Sequence, residues 1–188
     1  TVTANDLSSP GFVTYSGSIG SFMVSADLGT GFPDIGSPAY PVLDLTSLDL
    51  TSDKGGTLTV SLTETGFATT SAGVTFLSSL VGNYHNSHAT LDTYLDTSDA
   101  PFGKGTPLSS GLLDNQADTS SLPPISGPYS LTEIITVTAG AASLTSLDAI
   151  VEAPEPTALS VLGVGLVALA FFGVRRLQAV RRSVPAIA

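Results

Sequence analysis

Residues 57–63 read TLTVSLT, in which Leu58, Val60 and Leu62 alternate with threonine and serine. Side chains two residues apart lie on the same face of a β-strand, so this segment has one apolar and one hydroxylated face. Threonine is β-branched, which suits a strand, and it adds no charge to the exposed face. The pattern predicts a strand with its apolar side chains in a core and its hydroxyl groups in solvent.

Similar alternation on both sides of this segment predicts seven more strands. They are Phe12–Ser16, Phe22–Leu28, Val42–Leu50, Val74–Leu80, Thr90–Asp96, Leu131–Thr138 and Leu144–Val151. Turn-forming residues separate several of them, at 31–34, 52–56 and 123–124. Because no segment before residue 156 has a helical apolar stripe, the spacing favours an all-β fold, an antiparallel β-sandwich over residues 1–152.

Two regions depart from regular alternation. The apolar pattern of Val42–Leu50 changes phase near Ser47, which predicts a β-bulge. Residues 103–126 are rich in glycine, proline, serine and aspartate and lack a strong period. We therefore expect a mostly irregular connection there, with one short strand near Gly111–Leu113.

The histidines of the chain are His85 and His88, three residues apart. Asp92 and Asp96 follow closely, and all four are residue types that bind metal ions. However, positions i and i+3 of a strand face opposite sides of the sheet. We interpret the segment as a polar hairpin tip.

Acidic clusters are the better candidates for a metal site, because calcium takes six to eight oxygen ligands, often from carboxylates in turns. The two clusters are formed by Asp92, Asp96 and Asp99, and by Asp44, Asp49 and Asp53. Neither stretch matches the spacing of a calcium loop of the D-x-[DN]-x-[DN]-G type. Solvated turn aspartates are the alternative interpretation, and no other cofactor is expected.

Net charge limits the partners of the chain. All 16 acidic residues lie at or before Glu155, where the basic residues are Lys54 and Lys104, so this region has a formal charge of −14. Such a domain repels phosphate backbones, which argues against nucleic-acid binding. The absence of cysteine excludes disulfides and thiolate chemistry. Since no catalytic motif is present either, we expect a protein that is not an enzyme.

An uncharged segment of 18 residues, Thr157–Val174, follows the β-rich region. As a helix it would extend ~27 Å, which is enough to cross the hydrocarbon core of a bilayer. Four arginines come next and should remain in the cytoplasm by the positive-inside rule: Arg175, Arg176, Arg181 and Arg182. The sequence thus predicts an exported domain, a transmembrane helix over 157–174 and a basic cytoplasmic tail over 175–188. An exported chain needs an apolar leader, and because none precedes Thr1 we expect that a signal peptide has been removed.

Residues 153–156 join the domain to this helix and contain the sequence Pro154-Glu155-Pro156. The prolines hold the segment extended, which is the form that a protease can bind. In this order, the motif, the apolar run from Leu159 to Val174 and the pair Arg175-Arg176 resemble the PEP-CTERM sorting signal of Gram-negative bacteria. The resemblance implies that an exosortase, a membrane protease, recognises the tail, cuts near the motif, and releases or re-attaches the protein outside the cell.

The β-rich region is similar to exported domains found upstream of such tails, through residues 58–67 (LTVSLTETGF) and 127–132 (GPYSLT). The sorting family is associated with bacteria that produce exopolysaccharide. This implies a structural or adhesive component of the cell surface, biofilm or extracellular matrix, with exopolysaccharide as an expected partner.

Three alternatives remain open. The tail could be a plain membrane anchor. The protein could be a self-assembling filament subunit or homo-oligomer that keeps its helix and packs it through the small residues Gly163, Gly165 and Gly173. The domain could also be a calcium- or carbohydrate-binding surface module.

Overall fold

The computed structural model describes residues 2–4, 11–68, 70 and 73–153, without the side chains of residues 26–28. These residues belong to one compact unit, Thr1–Pro154. They form eight β-strands and no helix, which confirms the prediction of an all-β domain. The strands are β1 (Phe12–Ile19), β2 (Phe22–Thr30), β3 (Val42–Ser52), β4 (Gly56–Phe67), β5 (Val74–Asp96), β6 (Thr106–Leu113), β7 (Gln116–Leu122) and β8 (Tyr129–Glu152).

Two long strands, β5 with 23 residues and β8 with 24, form the centre of the sheet. They pair antiparallel from Leu77↔Glu152 to Asp96↔Ser130. The first half of β8 pairs on its other side with β4, and the second half pairs with β3. In the same way β5 pairs first with β7 and then with β6, while β2 and β1 extend the sheet beyond β3. Every pairing is antiparallel.

The pairing of β5 with β8 is interrupted between His85 and Ser87. Asn86 has φ 53° there, and Ala142, close to the same level of β8, has φ 55°. At this level the outer neighbour of β8 changes from β4 to β3, and the outer neighbour of β5 changes from β7 to β6. One half of the sheet is therefore β1-β2-β3-β8-β5-β7 and the other is β4-β8-β5-β6.

Apolar side chains from both halves share one buried cluster. It contains residues of β2, β3, β4, β5, β6 and β8, with Leu48, Leu80, Leu91 and Ile135 fully buried. A second cluster lies around Phe67, Phe76 and Tyr129. The predicted sandwich is thus confirmed in part: the two halves share a core, but all eight strands belong to one continuous hydrogen-bonded sheet.

The alternation pattern predicted two separate strands in the region of β5 and two in the region of β8, and this prediction is wrong. Val74–Leu80 and Thr90–Asp96 belong to β5, while Leu131–Thr138 and Leu144–Val151 belong to β8. The polar residues between them stay extended because each long strand has hydrogen-bonded partners on the other. These partners come from distant parts of the chain.

The expectation of a mostly irregular connection over 103–126 is also wrong, because β6 and β7 occupy most of it, although the short strand expected near Gly111–Leu113 is present as the end of β6. Their connecting turn has a structural role at the level where β5 is interrupted. The Oδ1 atoms of Asp114 and Asn115 accept hydrogen bonds from the backbone N–H groups of Ala89 (2.8 Å) and Gly82 (3.2 Å). The turn thereby provides acceptors for backbone N–H groups of β5 where neither β6 nor β7 pairs with that strand.

The predicted irregularity near Ser47 is confirmed. Ser47 has φ 58°, and the register between β3 and β8 shifts between Leu45 and Leu48. The backbone N–H of Ser47 donates a hydrogen bond of 2.6 Å to Asp148 Oδ1. This shift keeps both Leu45 and Leu48 in the core.

Along the described ranges, no helix has the length and apolar character needed to cross a membrane. The Pro-Glu-Pro motif, the segment Thr157–Val174 with its glycines, and the four tail arginines all lie outside these ranges.

Candidate functional site

A groove of about 840 Å³ lies between strands β1–β3 and strand β4. Seven consecutive residues of β4, Thr59–Thr65, line it. Successive side chains of a strand point to opposite faces, so a run of seven lining residues means that the groove follows the edge of β4. In the described sheet β4 pairs with β8 alone, which leaves that edge beside the groove.

The floor of the groove is apolar. Leu45 and Leu48 of β3 are buried in it, and Val60 and Leu62 of β4 are partly buried. These residues face the groove because β4 alternates leucine and valine with hydroxylated residues, as its sequence predicts.

Gly29 of β2 and Gly31, directly after this strand, allow β4 to approach at one end of the groove. A Cβ atom at Gly29 would overlap the side chain of Leu62, and one at Gly31 would overlap the carboxyl group of Glu64. Glycine at both positions gives these side chains room to lie against the backbone of β2 and of the residue that follows it. This approach fixes Glu64 at the groove.

Phe32 and Phe102 line the same end of the groove and are unusually exposed, at 42% and 49% of their surface. The backbone N–H of Phe32 donates a hydrogen bond to Glu64 Oε2 (3.0 Å), and that of Phe102 donates one to Thr63 Oγ1 (3.1 Å). Consecutive side chains of β4 therefore hold the two loops that carry the phenylalanines.

The loop carrying Phe102, which joins β5 to β6, has further anchors. Asp99 Oδ1 accepts a hydrogen bond of 2.8 Å from the N–H of Gly66, and Ser130 Oγ donates one of 2.8 Å to the carbonyl of Ala100. Phe102 itself has φ 58°, a conformation that bulky side chains rarely adopt. Such a backbone persists only where surrounding contacts impose it.

Charge is almost absent from the groove. Among the described lining residues Glu64 is the charged one, and the polar remainder consists mainly of hydroxyl groups: Thr3, Tyr15, Thr30, Thr59, Ser61, Thr63 and Thr65. The groove therefore combines aromatic and aliphatic surface with hydroxyl groups and one carboxyl group.

A second polar feature, Glu133, lies inside the core and is 0% exposed. It pairs with Leu62 of β4 and Thr93 of β5, and Leu62 packs against both apolar clusters. Neither carboxyl oxygen makes a well-formed hydrogen bond within the described residues. Burial, and next Asp44, raises the pKa of Glu133 well above its usual value, while the backbone N–H of Val151 opposes this more weakly.

Two hydroxyl groups lie in the same part of the core. Thr93, which is opposite Glu133 on β5, makes a buried hydrogen bond of 2.7 Å through its Oγ1 with Ser78 Oγ. The two residues come from the two halves of β5. The two hydroxyl groups thus satisfy each other, and neither bonds to Glu133, whose carboxyl oxygens have no well-formed hydrogen bond to a described residue.

The sequence did not single out Glu133, Phe32 or Phe102. A signal for Glu133 is present, because it occupies an inward position in the alternation of Leu131, Ile135 and Val137. The two phenylalanines lie in loops with no period, and tertiary contacts with β4 alone bring them together.

The candidate calcium ligands do not share one site. Asp92 Oδ1 accepts hydrogen bonds from Ser110 Oγ (3.1 Å) and the N–H of Gly111 (2.7 Å). Asp96 Oδ1 accepts two from Ser98, at 2.8 and 2.7 Å, and these lower its pKa. Asp99 binds Gly66, as described above. Each carboxyl group therefore stabilises a loop or a strand edge.

The second acidic cluster is also dispersed. Asp44 and Asp49 lie on β3, and Asp53 lies in the turn before β4. Burial, and next Asp148, raises the pKa of Asp44. Within the ranges that the structure describes, no group of three or more histidine, cysteine, aspartate or glutamate residues could hold a metal ion.

Calcium provides a simple test of this arrangement. We expect millimolar calcium to leave the melting temperature unchanged, because the three candidate carboxyl groups are engaged at separate positions. A ligand that binds the folded state alone would raise it. Thermal melting with calcium and with a chelator measures this, with magnesium as the control for ionic strength. A rise specific to calcium would contradict the expectation.

His85 and His88 lie within β5, so the interpretation of a hairpin tip is wrong. The expectation that they face opposite sides is wrong as well, since both are exposed. The irregularity at Asn86 shifts the alternation of β5, so that Leu80 before it and Ala89 after it are both buried.

Comparisons with known proteins give no family. No protein-family model matches the chain, and no curated protein matches it either. Among solved structures it is similar to TmCBM61 in complex with beta-1,4-galactotriose, with 14% identity and a TM-score of 0.35 over 74% of this chain and 92% of that one.

Two larger proteins are similar at the same level. One is the infectious bursal disease virus VP2 subviral particle, with 15% identity and a TM-score of 0.32 over 76% of this chain and 42% of that one. The other is the enzymatically active domain of bacteriophage CBA120 tailspike protein 4, with 14% identity and a TM-score of 0.31 over 72% of this chain and 20% of that one. Likenesses this distant carry no argument about what the chain does.

Proposed function

We propose that this chain is an exported structural or adhesive protein of the bacterial cell surface or extracellular matrix, carrying a PEP-CTERM sorting signal. An exosortase-type protease is its processing partner, and Pro154, Glu155 and Pro156 are the residues that it recognises. The segment Thr157–Val174 spans the inner membrane before processing, and the four tail arginines remain in the cytoplasm.

The observation that carries this proposal is the order of motif, apolar run and arginines directly after the β-domain. Ala153 is buried, and its backbone N–H donates a hydrogen bond of 2.9 Å to the carbonyl of Pro41. The motif begins at the next residue. A cut at the motif would therefore leave the eight strands and both apolar clusters complete.

A structural or adhesive role agrees with the surface of the domain. Exposed strand positions carry mainly threonine, serine and aspartate, and the region up to Glu155 has a formal charge of −14. Like charge keeps such domains soluble at high local concentration. A retained helix packing through Gly163, Gly165 and Gly173 is the alternative, in which the protein assembles into a filament.

Intact mass spectrometry of protein recovered from the native cell surface and culture medium tests the proposal. We expect a mature chain that ends near residues 154–156. A strain lacking the protease, or a chain with Pro154 and Pro156 replaced by alanine, should give the uncut mass and serves as the control.

A native chain that ends at Ala188 would contradict processing. It would favour a permanent membrane anchor or the filament, and these two differ in whether detergent alone releases a single copy.

A further inference from the structure

We propose that the groove between β1–β3 and β4 binds an electrically neutral polysaccharide, with Phe32 and Phe102 as the aromatic surfaces on which sugar rings lie. The inference rests on the proposed function in one respect, which is that an exported protein would encounter such a polysaccharide outside the cell. Its evidence is the construction of one end of the groove.

The two phenylalanines are the first part of that evidence. Each exposes more than two fifths of its surface, although burial of a phenylalanine side chain is favourable by roughly 1.5–3 kcal/mol. Both are held in position through their backbone N–H groups, by Glu64 and Thr63, and Phe102 keeps a rare positive φ. Aromatic surface held exposed at the end of a cavity indicates a binding site.

The polar groups of the groove are the second part. Thr59, Ser61 and Thr65 are exposed along β4, between the apolar floor and the solvent. A sugar ring has apolar C–H faces and a rim of hydroxyl groups, so it can contact an aromatic ring and bond to threonine and serine together. Hydroxyl groups both donate and accept, and therefore match the hydroxyl groups of a sugar in either direction.

Charge defines the class of polysaccharide. The described lining contains no lysine or arginine, Glu64 adds a negative charge, and the surrounding domain is strongly acidic. Polyuronates, sulfated chains and phosphates would be repelled and would find no cation to pair with. A neutral chain has no such penalty.

Size and shape agree with a chain of sugars. The volume of about 840 Å³ lies within the range of roughly 300–1,000 Å³ that is usual for ligand sites. The site follows β4 for seven residues, about 23 Å at the rise of an extended strand. A long, open groove accommodates several rings of a polymer.

An extended peptide added to the edge of β4 is the competing occupant. The backbone of β4 is available for it, but a peptide strand would not require exposed aromatic rings at the end of the groove. The loops that hold Phe32 and Phe102 also cross the side chains of Thr63 and Glu64. The observations therefore favour the polysaccharide.

Affinity electrophoresis of the full-length chain tests the proposal. The chain is kept in a polyoxyethylene detergent, because detergents with sugar head groups would compete. Native gels contain a neutral glucan, a neutral galactan, a neutral xylan, or alginate as the anionic polymer. We expect retardation by at least one neutral polymer and none by alginate.

Variants locate the site. Phe32→Ala and Phe102→Ala should each weaken binding about tenfold, as expected for aromatic residues that supply much of the binding energy of a site. Phe102→Tyr should retain binding, since the ring remains. Met23→Ala is the matched control, because Met23 is an apolar residue exposed to 55% that does not line the groove. Thermal melting of every variant confirms that it is folded.

Three outcomes would overturn the proposal: no retardation by any neutral polymer, equal retardation of wild type and both folded alanine variants, or equal retardation by alginate. Sedimentation without polysaccharide tests whether a second copy of the chain occupies the groove instead. Self-association that Phe102→Ala abolishes would assign the groove to a second copy of the chain. None of these outcomes affects the intact mass, so failure here is distinct from failure of the proposed function.

Discussion

Replacement of Glu133 by glutamine should stabilise the domain by about 1–3 kcal/mol near pH 8 and by much less near pH 4. The reason is the position of this residue, which is fully buried between two apolar clusters and makes no well-formed hydrogen bond to any residue that the structure describes. A buried charge without a partner is costly, and the group responds by favouring its neutral form. Glutamine has nearly the same shape and never becomes charged.

The direction of the pH dependence follows from the pKa. Burial and Asp44 raise the pKa of Glu133 in the folded state above the value of 4.5 expected for an unperturbed glutamate. Between 4.5 and the raised value the folded state holds a proton that the unfolded state has lost. The stability due to this group is therefore complete below 4.5 and declines as the pH rises through the folded pKa.

Urea unfolding of wild type and Glu133→Gln at pH 4 and pH 8 measures the effect. The gain is the difference in free energy of unfolding between the two proteins, so that the pH dependence of the other carboxyl groups cancels. Asp118→Asn, on the exposed side of β7, is the control for loss of one negative charge. An equal gain at both pH values, or a loss near pH 8, would contradict a buried neutral acid.

Alanine at Gly55 should destabilise the domain by about 3–5 kcal/mol. Gly55 lies in the turn between β3 and β4, has φ 73°, and packs on the backbone of β8. A Cβ atom there would lie 2.5 Å from the carbonyl oxygen of Ala139 and 2.7 Å from the carbonyl carbon of Gly140. The cost combines about 1–2 kcal/mol for a left-handed alanine with the strain of moving one backbone away from another.

Gly20→Ala separates these two contributions. Gly20 joins β1 to β2 with φ 60°, and a Cβ atom there would have no neighbour within 4 Å. We expect a loss of only about 1–2 kcal/mol, from the backbone conformation alone. Thermal or urea unfolding of both variants measures the difference. If Gly55→Ala were no more damaging than Gly20→Ala, the turn would be free to move away from β8.

The position of Gly55 matters because the turn crosses β8 near the level at which the sheet changes neighbours. The backbone N–H of Ala142 donates a hydrogen bond of 3.3 Å to the carbonyl of Asp53, in the same turn. Loosening this contact should therefore disturb both halves of the sheet. It should also change the groove, since β4 begins at Gly56.

Local sequence determined the elements whose signal lies within a few residues. The alternation of Leu58, Val60 and Leu62 predicts β4 and its inward face, and the change of phase near Ser47 predicts the irregularity of β3. The order of motif, apolar run and arginines is likewise a property of the sequence alone, and the role assigned to it stays a prediction.

Tertiary structure decided everything that depends on partners far away in the chain. β5 and β8 continue through polar residues because each supplies the hydrogen bonds of the other, and the turn at Asp114-Asn115 completes the edge of β5. The groove and its two exposed phenylalanines exist because Thr63 and Glu64 hold two loops that are distant in sequence. A periodic pattern indicates which face of a strand is buried, but not which strand lies beside it. A binding site depends on that second property, because its residues come from elements that are adjacent in space and distant in sequence.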